Sequence, residues 1–286
     1  MKKFIIATLM LFAAIVNSQG QEKEPERAEV ERLADSVVLE GKALFRSEWA
    51  SWHGTDIFLE KFKEGRDQIG GYVSYETPTN LVNTFYTKGD KPLTMGVITF
   101  SKDLNAQNYQ LDTVARPLNA VEKDLFTMRT AALKALQTDT TFKTYNNTNL
   151  NVIPFIHNKA KRIYILSAPI TSGIILIGND YLLTVNSKNE VSSVKRIHNS
   201  LISTDTKNND VQTIFHTHIA GKDEIMSATD ICTMMLYEKE TNVKQAYVMS
   251  HKYVSIWNAK KDSLLVLTKQ AWDRINNDQK TRHPDN

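Results

Sequence analysis

The chain has 286 residues, 41% apolar and 23% charged, enough for one large or two ordinary globular domains with a real core. Its formal net charge is +3, and loss of residues 1–20 would remove Lys2 and Lys3 and leave +1, so no global charge argues for nucleic acid or an anionic membrane. A single cysteine, Cys232, excludes an intrachain disulfide.

Lys2 and Lys3 precede an apolar stretch from Phe4 to Val16, and small and polar residues follow. This is the layout of a secretory signal peptide, so residues 1–20 are expected to be removed and the protein exported to the periplasm or beyond. The stretch is short for a membrane span, which makes an uncleaved anchor the lesser alternative and leaves no stable span after cleavage. Residues 21–35 are densely charged and run into a helix in which Val30, Leu33, Val37, Val38 and Leu44 keep helical spacing. Trp49 and Trp52 stand three apart, on one helix face, and read as a packing anchor.

Gly70-Gly71 ends that pattern. Strands are expected over Tyr72–Glu76, Leu81–Tyr86, Met95–Phe100 and Tyr109–Val114, as an antiparallel meander with a turn at Lys88-Gly89-Asp90-Lys91. Leu118-Asn119-Ala120-Val121-Glu122 opens a helix reaching Leu136, with Leu125, Met128, Ala132 and Leu136 on its apolar face. The polar run Asn146–Asn149 marks a break between an N-terminal α+β region, 21–150, and a C-terminal domain, 151–268.

In the C-terminal part, strand-like runs cover Val152–Ile156, Arg162–Leu166, Gly173–Ile177, Tyr181–Val185 and Val191–Ile197. A helix is expected from Ala228 to Lys239, then strands at Gln245–Ser250, Tyr253–Trp257 and Ser263–Leu267. The class is α+β, with a mixed sheet and one strong helix in the C-terminal domain. Residues 269–286 read as a short helix and a polar tail.

The chemistry concentrates at His216-Thr217-His218 and Ser227-Ala228-Thr229-Asp230. The apolar run Val211–Phe215 makes the first segment a strand end, and strand period two turns both imidazoles to one face. Asp230 falls in the first turn of the following helix. Two nitrogens and one carboxylate oxygen, with a position left for water, is the ligand count of a catalytic zinc site, and Fe²⁺, Mn²⁺ or Co²⁺ would suit the same donors. His198, at the end of the preceding strand, reads either as a surface or hydrogen-bonded residue of a strand end or, if that strand neighbours the His216 strand, as a further ligand or a substrate contact. The plainer readings are that Ser227-x-x-Asp230 only caps the helix, that the His pair is structural, and that Cys232 is a small buried residue.

His216-x-His218 followed by Ser227-x-x-Asp230 at a helix start resembles the metal motif of JAMM-type metalloproteases of the MPN fold, over about residues 161–267. The resemblance implies an MPN-like domain in which His216, His218 and Asp230 bind Zn²⁺ and Ser227 helps hold the reacting carbonyl. It implies an exported zinc-dependent amide hydrolase, acting on a peptide or an envelope amide and not on nucleic acid. The chain departs from the family in two places. Eight residues rather than seven separate His218 from Ser227, and Ile170-Thr171-Ser172 occupies the place of the family's upstream Glu, its general base. Glu224 in the loop is the substitute base closest in sequence; Glu190 and Glu76 are more remote. The alternative is a catalytically degenerate MPN-like module that binds a partner. The chain offers no Gly-rich phosphate loop, Gly-x-Ser-x-Gly elbow or His-Glu-x-x-His.

Overall fold

A computed structural model of the chain describes residues 24–207, 210–219 and 224–282. The signal-like segment 1–20 and the last four residues of the tail lie outside the described residues. Among those described, no helix is long and apolar enough to cross a membrane. The protein is α+β, as its periodicities indicate. The chain divides into two compact units, the larger comprising Glu40–Asn209 and Ala228–Thr241, the smaller Met1–Leu39, Asp210–Ser227 and Asn242–Asn286.

Helix α1, Glu24–Lys61, enters the larger unit at Glu40. It is one continuous helix through the aromatic-rich segment. The Trp pair divides its roles: Trp49 is buried and meets Phe100 edge-on at 5.1 Å, whereas Trp52 is 40% exposed and lies 6.1 Å from the Tyr237 ring. Strands β1 (Ile69–Glu76), β2 (Asn80–Thr87), β3 (Thr94–Ser101) and β4 (Tyr109–Asp112) form the expected meander, antiparallel in the order β1-β2-β3-β4. β3 alternates buried and half-buried residues along its whole length, as a strand with one face on a core must. That core includes Phe58, stacked between Phe62 and Phe85 with centroids at 4.2 and 3.9 Å. Full burial of such a ring contributes about 1.5–3 kcal/mol.

Helix α2, Ala120–Thr138, starts at a capping box in which Asn119 accepts from the Glu122 backbone N–H and Glu122 accepts from that of Asn119. Its face of Leu125, Met128 and Ala132 is fully buried. Strands β5 (Thr148–His157), β6 (Ala160–Pro169), β8 (Tyr181–Val185) and β9 (Val191–Arg196) make an antiparallel sheet in the order β5-β6-β8-β9. β7 (Ile174–Gly178) pairs instead with β10 (Leu201–Asp205). Residues 151–268 thus hold two antiparallel sheets besides the expected mixed one. The chain switches sheets at Gly178 and Asn179, whose φ values are 91° and 50°. A Cβ on Gly178 would lie 2.2 Å from the Ser200 carbonyl oxygen, so only glycine fits this turn. Asn179 is fully buried, donating to the Lys143 carbonyl and to Ser167 and accepting from the Tyr181 hydroxyl. Helix α3, Ala228–Tyr237, completes this unit.

The smaller unit holds the mixed sheet β11-β12-β13-β14, formed by Thr213–Thr217, Gln245–Met249, Tyr253–Asn258 and Ser263–Thr268. β11 runs parallel to β12, and the other pairs are antiparallel. Trp257 is its largest fully buried side chain. Helix α4, Lys269–Arg282, follows β14 directly and packs Trp272 against Tyr247 at 5.8 Å.

Candidate metal centre

β11 delivers the His pair as the pattern requires. Along Thr213–Thr217 burial alternates, with Ile214 and His216 inside and Phe215 and Thr217 outside, and His218 continues the buried side. The two rings lie 5.2 Å apart. His218 is fixed past the strand end because its backbone N–H donates to the Met249 carbonyl at 2.8 Å. In the same unit the Met226 backbone N–H donates to the hydroxyl of the fully buried Ser255 at 3.0 Å. That bond anchors the segment leading to Ser227, which is buried and directly precedes α3.

In the larger unit a second pair forms. Asp230, in the first turn of α3, is 3% exposed, and its Oδ2 lies 3.6 Å from His198 Nε2. That separation is long for a hydrogen bond. It is close to the roughly 3.3–3.4 Å edge of a tetrahedron of ligand atoms about 2.0–2.1 Å from a zinc ion.

His198 owes its orientation to Asp180, the residue after the buried Asn179 turn. Asp180 Oδ1 lies 2.7 Å from His198 Nδ1 and accepts from the His198 backbone N–H at 3.1 Å. Its Oδ2 accepts from the Thr229 hydroxyl. The Ile197 backbone N–H donates to the Asp180 carbonyl at 2.9 Å, which fixes the end of the strand beside the turn. Since both Asp180 carboxylate oxygens act as acceptors, Nδ1 is the donor of this bond, which turns Nε2 towards Asp230. A carboxylate bonded to the distal nitrogen of a histidine is the usual outer support of a metal-binding imidazole.

Together His198, His216, His218 and Asp230 form a group of side chains that could hold a metal ion. Three imidazoles and one carboxylate suit Zn²⁺ and other borderline divalent ions. Glu224 is not one of the four; its Oε2 accepts from the Lys252 backbone N–H at 3.4 Å. The remoter acids are committed elsewhere. Glu190 accepts from Asn186 within its turn, and Glu76 pairs with Arg46 and Lys102 at 2.9 and 2.6 Å. Burial would raise the Glu76 pKa, but the bonds from Lys102 and Arg46 outweigh it and hold it below the usual carboxylate range, a poor setting for a base. Asp180 escapes notice in the sequence because Gly178-Asn179-Asp180 reads as an ordinary turn between two apolar runs. The one available signal was a carboxylate at the start of a strand of the same sheet that ends in His198.

No family model matches the chain, and neither a curated protein nor a solved structure does.

Proposed function

We propose that the protein is a zinc-binding amide hydrolase, of the JAMM-like kind that its His-x-His and Ser-x-x-Asp segments resemble, exported by its N-terminal segment. The observation that carries the reading is the Asp180–His198–Asp230 arrangement, which presents an oriented imidazole nitrogen beside a buried carboxylate, alongside the paired rings of His216 and His218. His216, His218 and Asp230 would hold the ion, which would polarise an amide carbonyl and lower the pKa of water. His198 Nε2, with Asp180 behind it, would accept the proton of the attacking water in place of the absent upstream Glu. The Ser227 hydroxyl would donate to the developing oxyanion. The substrate would be a peptide or another envelope amide.

A second reading rests on the same imidazole. If His198 is a fourth ligand, the coordination sphere is closed, as in structural rather than catalytic zinc sites. The protein would then be a degenerate MPN-like module whose metal holds a binding surface.

Elemental analysis of the mature protein decides the shared premise. About one zinc per chain is expected, lost in the His216→Ala/His218→Ala double variant; no metal in either protein, even after incubation with zinc, would remove both readings. Cobalt substitution then separates them. An absorption spectrum altered by acetohydroxamate and an amidase activity lost in His198→Ala support the hydrolase. A spectrum indifferent to that ligand, but changed by His198→Ala, supports the closed site.

A further inference from the structure

The larger unit contains a cavity of about 640 Å³ that the metal chemistry does not use. Its size is that of a small-molecule site. It lies among α1, β1, the start of β5, the end of β6 with the following loop, and the later turns of α3. Three aromatic rings line it, Trp52, Tyr72 and Tyr237. Three carboxylates line it as well, Glu48, Asp56 and Glu240, and among the described residues no lysine or arginine does.

Glu48 is the informative member. It is 9% exposed, projects from α1, and makes no ion pair among the described residues. Its Oε2 accepts from the Asn151 amide, and Asn151 Oδ1 accepts from the Tyr72 hydroxyl at 3.3 Å. Among the described residues no donor reaches Oε1. A buried carboxylate without an ion-pair partner is unfavourable: burial drives its pKa up to about 7, against the weaker opposing influence of Arg129, whose guanidinium lies 5.0 Å from the Tyr72 ring centroid, and of the Asn151 bond. The other ionisable groups facing it are Tyr72 on β1 and Cys232 and Tyr237 on α3, none of them cationic. Burial of this acid beside open space makes sense if the countercharge arrives with a ligand.

We propose that this cavity binds a primary ammonium group carried on an apolar or aromatic body, with Glu48 receiving the ammonium and Trp52, Tyr72 and Tyr237 packing the body. An ammonium has three N–H donors and no acceptor, which matches a carboxylate oxygen left open and a lining rich in hydroxyls, including Thr55 and Thr233. Aromatic faces add cation–π attraction. The acids Asp56 and Glu240 are exposed, so they favour entry of a cation rather than hold it. The assignment stands independently of the metal reading.

Calorimetric titration of the intact mature protein with 2-phenylethylamine tests it, beside the neutral 2-phenylethanol, the anionic 3-phenylpropanoate and the quaternary phenethyltrimethylammonium. The amine is expected to bind at least tenfold more tightly than the other three. Binding needs ionised Glu48, so affinity should rise about tenfold from pH 6 to pH 8, with proton release seen as a dependence of the heat on buffer. Glu48→Gln should abolish both the preference and the pH dependence. Asp56→Lys, a change at an exposed position, should weaken the amine about threefold at low salt without changing the melting temperature. Equal binding of amine and alcohol, or an unchanged preference in folded Glu48→Gln, overturns the proposal. Equal binding of the quaternary ion also does, since it would place recognition on the rings alone. Zinc content plays no part in these readouts.

Discussion

Asp180 holds the ring of His198, with 2.7 Å between Oδ1 and Nδ1, and it is itself held by the Thr229 hydroxyl, one residue before Asp230. One buried carboxylate thus ties the end of the strand carrying His198 to the first turn of the helix carrying Asp230. Changing Asp180 to Asn removes an obligatory acceptor and frees the imidazole to choose the other tautomer. Loss of such an outer partner typically weakens metal binding about 10–100-fold. Competition of Asp180→Asn against a chromogenic zinc chelator should show a loss of that size. An unchanged affinity would mean that His198 orientation is irrelevant to the ion.

A second buried carboxylate is purely architectural. Glu122 has no exposed surface, receives the Arg116 guanidinium at 2.7 and 2.8 Å, and also accepts from the Asn119 backbone N–H and the Thr84 hydroxyl. Burial pushes its pKa up, but the bonds from Arg116, Asn119 and Thr84 pull it below its ordinary value. A depressed carboxylate pKa contributes stability that is complete above the unfolded value and is lost as pH falls through the folded one. Glu122→Ala should therefore cost about 1.5–3 kcal/mol at neutral pH, the range for charged hydrogen bonds, because the Arg116 left behind is 35% exposed. The melting-temperature gap between wild type and Glu122→Gln should shrink towards acid pH while zinc per folded chain stays constant. A gap that persists at low pH would show that the stability does not come from the charge.

That His216, His218 and Asp230 would be candidates for one cation was legible in the sequence, because a period of two and a helix start are local properties that these residues display directly. The meander and α2 were legible for the same reason. Asp180 was not, because its role depends on Gly178 and Asn179 taking left-handed backbone and turning β8 away from β7, a choice made by the buried Asn179 network. β10 was missed because Leu201–Asp205 is mostly polar and becomes a strand only by pairing with β7. The cavity was equally hidden. Glu48 looks like any helical acid until burial and the Asn151 contact, across 103 residues of sequence, are known.

Glu48 predicts a pH dependence of opposite sign to that of Glu122. Its folded pKa is raised by burial from 4.5 to about 7, so its ionisation destabilises the fold. The penalty is absent below the unfolded value, grows between 4.5 and about 7, and is complete above that. At 1.36 kcal/mol per pH unit it amounts to roughly 3 kcal/mol. Glu48→Gln keeps the shape and removes the charge, so without added amine it should raise the melting temperature at pH 8 and leave it nearly unchanged at pH 4. A Glu48→Gln protein no more stable than wild type at pH 8 would mean that the ionised acid is already compensated.

Gly41 sits inside α1, where an alanine would ordinarily favour the helix by about 1 kcal/mol. A Cβ at this position, however, would lie 2.8 Å from Ile231 Cβ and 3.0 Å from the Ala228 carbonyl oxygen. Both contacts are with the first turn of α3, and neither is the flexible end of a side chain. The helices must separate to admit the methyl group, and overpacking of this kind costs about 1–3 kcal/mol. The net effect of Gly41→Ala is therefore destabilising. Because Ile231 follows Asp230, the same displacement should move the carboxylate away from His198 and lower zinc affinity along with the melting temperature. Alanine at 41 that raises the melting temperature and leaves zinc binding intact would show that α1 does not constrain the first turn of α3.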